Sequence, residues 1–169
     1  AFSETPIRKT LAKFIDDKNA VDVDAIVAQL KYELYEGITA NDIQRALIMV
    51  VRSMIERDPA YSKLACRLLL DRMYREVFGK NFDRENPQKA QAEVFARNIR
   101  NAVARGDLDT RMAEFDLEKL GAALVLENDT LFEYMGLEIM ASRYCMEDVE
   151  TKKQLETPQM LWMRTAMGL

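Results

Sequence analysis

Chemistry in a protein chain needs nucleophiles, bases or metal ligands, and this sequence of 169 residues carries few of them. It contains no histidine and two cysteines, Cys66 and Cys145. Without imidazole, Ser-His and Cys-His catalysis are excluded, and so is the commonest zinc ligand. The two cysteines have no CxxC partner or metal-ligand spacing and read as free thiols. Cys66 falls on the apolar face of a helix, as a small packed residue does. Cys145 follows Arg143, which lowers a thiol pKa, but it precedes an acidic run. That run, Glu147, Asp148 and Glu150, lacks the spacing and turn glycine of a calcium loop and reads as solvated charge. No catalytic residue and no metal site is expected in this chain. Arg67 and Arg164, on otherwise apolar helices, are expected to make buried hydrogen bonds that fix one helix against another.

The elements that position these residues are helical. Apolar residues make up 49% of the chain, enough for a sizeable core. Basic residues number 24 against 28 acidic, for a net charge of -4, and no Lys/Arg stripe marks a nucleic-acid face. No apolar run approaches the roughly 20 residues of a membrane span, and no signal segment opens the chain. A cytoplasmic protein without membrane or nucleic-acid contact is expected.

Pro6 starts a helix through Ile7, Leu11 and Phe14. A second runs from about Val23 to Glu36 and ends at Gly37. Thr39, with Asp42 three residues on and Ile38 and Ile43 as a staple, starts a long helix that Asp58-Pro59 stops. Asp58 then caps a helix running to Gly79. The polar stretch Lys80 to Gln88 is the expected boundary, dividing the chain into residues 1–79 and 80–169. Asn86-Pro87 opens a helix ended by Gly106. Shorter helical pieces follow at Thr110 to Phe115 and Asp116 to Leu124, then a helix from Thr130 to Tyr144. A loop or short hairpin spans Cys145 to Glu156.

Thr157-Pro158 starts the last helix, whose apolar face is still running at Leu169. Met160, Leu161, Trp162, Met163 and Met167 are the expected partner contacts, since such a surface is seldom left open on a monomer. Six of the ten methionines fall between Met135 and Met167, a pattern that serves core filling or an adaptable binding face. The chain is therefore expected to be part of something larger, a split subunit or an interrupted polypeptide.

Three stretches resemble the large, catalytic subunit of ribonucleotide reductase. The first is Leu34-Tyr35-Glu36-Gly37-Ile38-Thr39, similar to the turn that closes the family's nucleotide-binding cone. The second is Ile55-Glu56-Arg57-Asp58-Pro59 with Tyr61-Ser62 and Ala65-Cys66-Arg67-Leu68-Leu69, similar to the family's "ERDPxYSxxAARLLL". The third joins Tyr134-Met135-Gly136-Leu137 and Arg143-Tyr144 to Glu156-Thr157-Pro158-Gln159-Met160 and Arg164-Thr165-Ala166-Met167-Gly168. Each alone is common, whereas their order and spacing are specific.

The resemblance implies a mainly α fold with at most a short hairpin: a partial cone-like region over 1–79, and over 80–169 an N-terminal helical domain flanking an α/β barrel that lies outside this chain. It implies ribonucleotide reduction by radical chemistry, as part of a ribonucleoside-diphosphate reductase, with the catalytic cysteines beyond the last helix. Nucleotide effectors, and a radical generator that is either a metal-containing small subunit or cobalamin, are implied elsewhere, with no cofactor bound by this chain. Its expected partners are the barrel-bearing remainder of the large subunit and a small subunit. The cone's opening strands and "KRDG"-like turn have no counterpart here, so a remnant cone that serves packing is expected. The alternative is a free-standing helical adaptor that binds a partner helix through its Met-rich C-terminal face.

Overall fold

The computed structural model describes residues 3–16, 20–79, 82–83 and 86–169. It is mainly helical, and among the described residues no β-strand forms. Eight α-helices follow in order: α1 Thr5–Phe14, α2 Val23–Tyr32, α3 Ala40–Ser53, α4 Pro59–Phe78, α5 Gln88–Arg105, α6 Leu117–Ala122, α7 Tyr134–Arg143 and α8 Pro158–Met167. Two 3₁₀ segments, Thr110–Glu114 and Leu126–Leu131, lie among them.

The chain divides into two compact units, Ala1–Leu69 with Glu133–Gly136 and Leu70–Phe132 with Leu137–Leu169. The break falls inside α4, ten residues before the polar stretch expected to mark it. A composition shift locates a turn, but compactness follows the side chains of a continuous helix. Those of α4 from Leu70 onward, Val77 among them, belong to the second core.

In the first unit, α1, α2 and α3 bury Leu11, Ile26, Leu30 and Val51. α1 starts on Pro6 with no side-chain cap, whereas the starts of α2, α3 and α4 are set by short polar side chains that occupy the unpaired N–H groups of a first turn. Asp22 accepts from Ala25 N at 2.9 Å, and Asp58 accepts from Ala60 N at 2.7 Å. Thr39 accepts from Asp42 N at 3.2 Å while its hydroxyl donates to the Asp42 carboxylate at 2.6 Å. Two helices end earlier than their periodicity suggests. α2 tightens after Tyr32 into i to i+3 bonds from Glu33 and Leu34, and Gly37, at φ +87°, shapes the following turn instead. α3 stops at Ser53, whose hydroxyl donates back to Val50 O at 2.8 Å. Glu133 belongs to this unit by accepting a 2.7 Å bond from Ser62.

Arg67 carries out the structural task expected of it. Its guanidinium donates to Phe14 O, the last carbonyl of α1, at 2.7 Å and to the Asp16 carboxylate at 2.6 Å. A cation is thereby placed at the negative end of α1, where helix carbonyls lack partners. The same contact holds the Asp16 carboxyl below its ordinary range.

The second unit is built on α5 and α6, around Phe95, Ile99, Leu117 and Met160. Gly106 closes α5 at φ +79°, and Asp107 N returns to Ala102 O at 2.9 Å, a left-handed stop that glycine adopts without a Cβ penalty. The helix expected from Thr130 is shorter, since residues up to Leu131 form the 3₁₀ segment and α7 begins at Tyr134. Between α7 and α8 the chain makes one antiparallel bridge, Glu147 to Gln154.

Candidate interaction surface on the last helix

α8 is held at both ends of its approach. Thr157 caps it, accepting from Met160 N at 3.4 Å, with Pro158 in the first turn. Asp129 accepts from Gln159 N at 3.1 Å. One turn on, Arg164 grips Glu156 with two nitrogens, at 2.6 and 3.0 Å, and donates to Tyr144 O at 3.1 Å. Glu156 is 1% exposed and also accepts from Met146 N at 2.8 Å, so both its oxygens are used. The pair fixes α8 against the loop that leads into it, rather than against another helix as expected of Arg164. Hydrogen bonding to Glu156 raises the guanidinium pKa further, so Arg164 stays charged at any physiological pH.

The five residues expected to contact a partner are not equivalent. Met160 and Leu161 point into the core of the unit and are buried. Met163 and Met167 are half-buried and pack on the same core. Trp162 stands outward, 54% exposed. At 3.6 residues per turn three consecutive side chains cannot share one face, which is why Trp162 parts company with Met160 and Leu161. The open surface is thus smaller than the apolar run suggested. Beside the end of α8 lies a cleft of about 470 Å³ lined by Met112, Phe115, Met167 and Leu169, with Asp109, Arg111 and Glu114 among its polar groups. Arg111 and Asp109 are paired at 2.9 Å and neutralise each other, beside the carboxylate of Glu114.

The acidic run is structural: Asp148 accepts from Thr151 N and Oγ1, both at 2.7 Å, and shapes the turn in which Lys152 takes φ +55°. Among the described residues no cluster of three metal-ligating side chains forms. Burial pushes the Cys66 thiol up to about 11, and that of Cys145 up to about 12. Arg143 is not among the groups that shift Cys145; Glu156 raises it further and Arg164 lowers it. Both cysteines are free and buried. A colorimetric disulfide reagent at pH near 8 is therefore expected to leave both thiols unmodified in the native chain and to titrate both in denaturant. Rapid labelling of either in the native chain would overturn this account.

Residues that organise this surface also lie where the sequence offered no signal. Asp129 sits in a stretch without periodicity, yet it is fully buried, and its carboxylate joins Tyr74 of α4 to α8. Gln154 is buried as well, donating to Ala141 O at 3.0 Å while its peptide N donates to Glu76 at 2.9 Å. Polar residue types alone do not announce burial.

Comparison with known proteins decides the family. Over 139 residues, 80% of this chain, it is 40% identical to the ribonucleoside-diphosphate reductase subunit alpha of Chlamydia trachomatis. The chain belongs to the ribonucleotide reductase large-subunit family. It is likewise 36% identical over 139 residues to the subunit alpha of Chlamydia muridarum, and 28% identical over 167 residues, 98% of the chain, to that of Helicobacter pylori. The match is to the N-terminal region of these reductase subunits. The chain spans 13% of the length of the two chlamydial relatives and 20% of the Helicobacter one. No family model matches it. Within the described residues no helix is long and apolar enough to cross a membrane.

Proposed function

We propose that this chain is a structural segment of a ribonucleotide reductase large subunit, a helical buttress that seats the catalytic barrel without taking part in bond making. The observation that carries the proposal is the identity to reductase subunits, combined with a last helix whose only outward aromatic, Trp162, is held on a clamped backbone. A rigid helix that presents one large side chain loses little entropy on docking, which is how an anchor residue contributes most to an interface. On this reading the reaction is reduction of ribonucleotides to deoxyribonucleotides, the radical chemistry takes place on the barrel, and a small subunit or cobalamin supplies the radical. The setting is the cytoplasm, where deoxyribonucleotides are made for DNA replication.

The cone-like region is read as packing rather than as a nucleotide-effector site. Its cleft of about 280 Å³ is lined by Lys63 and Arg67, but also by Asp16 and Asp58. Arg67 is committed to Asp16 and Phe14 O, and a triphosphate would meet two carboxylates there. The lining of this cleft therefore does not fit the phosphates of an adenine nucleotide.

The test mixes this chain with a barrel-bearing large-subunit polypeptide lacking the region. The two should co-elute on size exclusion, and Trp162→Ala should weaken the association by roughly tenfold or more. Absence of association would sink the reading. Equal affinity for unrelated amphipathic helices would favour the adaptor, which binds a partner helix through its Met-rich C-terminal face.

A further inference from the structure

Asp129 is an aspartate with no solvent contact and, among the described residues, no Lys or Arg in an ion pair with it. The hydroxyl of Tyr74, from α4, lies 2.8 Å from its Oδ2, and the peptide N–H of Gln159, in the first turn of α8, lies 3.1 Å from its Oδ1. An ionised carboxylate removed from water is costly unless a cation or enough donors compensate it, and the donors here, the Tyr74 hydroxyl and the main chain and side chain of Gln159, are all neutral.

The arrangement around Tyr74 points the same way. Its Oη lies 2.8 Å from Asp129 and 3.3 Å from the carbonyl oxygen of Leu126, yet a phenol carries one hydrogen. If Asp129 is ionised, that hydrogen goes to the carboxylate, and Tyr74 has none to give Leu126. If Asp129 holds a proton on Oδ2, the acid donates to Tyr74 Oη, Tyr74 donates to Leu126 O, and the Gln159 N–H stays on Oδ1. Only the protonated form fills all three contacts. We propose that Asp129 is a neutral carboxylic acid in the folded chain below neutral pH, and that this proton anchors the start of α8 to α4 and the 126–131 segment.

Burial pushes the Asp129 carboxyl up to about 7, while the hydrogen bonds from Tyr74 and Gln159 hold it back. The titratable groups that face it are Tyr74 from α4 and the Cys145 thiol beyond α7. The loop before α8 and α8 itself bring Glu156 and Arg164, which are committed to each other. For a carboxyl whose pKa is higher in the folded than in the unfolded chain, the folded state binds the extra proton. Stability is therefore greatest at and below the ordinary value of 3.8, falls as pH rises from there to about 7, and is flat above.

The experiment is a carboxyl-carbon NMR titration of the intact chain, run beside melting curves of wild type and Asp129→Asn. The Asp129 resonance should titrate with a midpoint near neutrality. The melting temperature of wild type should fall by roughly 5 °C or more between about pH 4 and about pH 7 relative to D129N, whose amide copies the donor and acceptor of the neutral acid. A carboxyl midpoint in the ordinary aspartate range would overturn the proposal, as would identical pH profiles for the two proteins. Should D129N not fold, the wild-type titration alone decides between the outcomes.

Discussion

Arg164→Met is expected to destabilise the chain by about 4 kcal/mol, the cost of leaving a buried charge without its partner. Glu156 is 1% exposed and its two oxygens take both nitrogens of Arg164. Methionine replaces the length and apolar volume of the arginine stem, so the loss reports the charge and the hydrogen bonds rather than a cavity. The carbonyl of Tyr144 loses its donor at the same time. Equilibrium urea unfolding measures the effect, and the melting temperature should fall by roughly 10 °C. Two companions separate the causes. Arg164→Lys keeps the charge but not the paired geometry and should fall between wild type and R164M. The double variant Glu156→Gln with R164M removes the orphaned carboxylate and should recover part of the loss, as double-mutant cycles show for coupled groups. A loss below about 1 kcal/mol for R164M would mean that the pair does not hold α8 in place.

Gly121→Ala should also be costly, by roughly 3 kcal/mol, although helix propensity argues the opposite sign. In an exposed helix interior, alanine is better than glycine by about 1 kcal/mol. Gly121 lies in α6, where a Cβ would stand 2.7 Å from Ala92 Cα, 3.0 Å from Gln91 O and 3.0 Å from Phe95 Cβ. These neighbours are main-chain atoms and a Cβ of α5 and cannot turn aside, so α6 must lift off the helix it packs on. Gly168 provides the control, because a Cβ there meets nothing nearer than Thr165 O at 3.6 Å. Gly168→Ala should change stability by no more than about 0.5 kcal/mol. Thermal and urea melts of both variants are the measurement. A neutral G121A would show that α5 and α6 do not approach as closely as described.

Much of the local structure was legible because it depends on neighbours in the sequence. Thr39 with Asp42, Asp58-Pro59 and Thr157-Pro158 start helices through bonds that span two or three residues, and such bonds depend on neighbours in the sequence. Gly79 and Gly106 end helices at positive φ for the same local reason. Other helix ends fall short of the punctuation expected to set them, α2 before Gly37 and α3 before Asp58-Pro59. α2, α3 and α7 run shorter than their apolar spacing suggests, because side chains such as Ser53 redirect the backbone once packing leaves them room. The expected interaction face shows the limit most clearly. Composition grouped Met160, Leu161 and Trp162 as one greasy run, and the fold sends the first two inward and the third outward.

The family, the helical class, the lack of a histidine and the principal helix starts were thus written in the order of residues, since each depends on residue type and short spacing. The tertiary structure alone decided that Asp129 is buried between Tyr74 and Gln159, that Glu156 is sealed by Arg164, and that Gly121 must be glycine. Each of these depends on groups tens of residues apart or on the closeness of two helices. A dihedral preference or an apolar period acts within one turn, whereas desolvation and steric contact act only after distant segments have met.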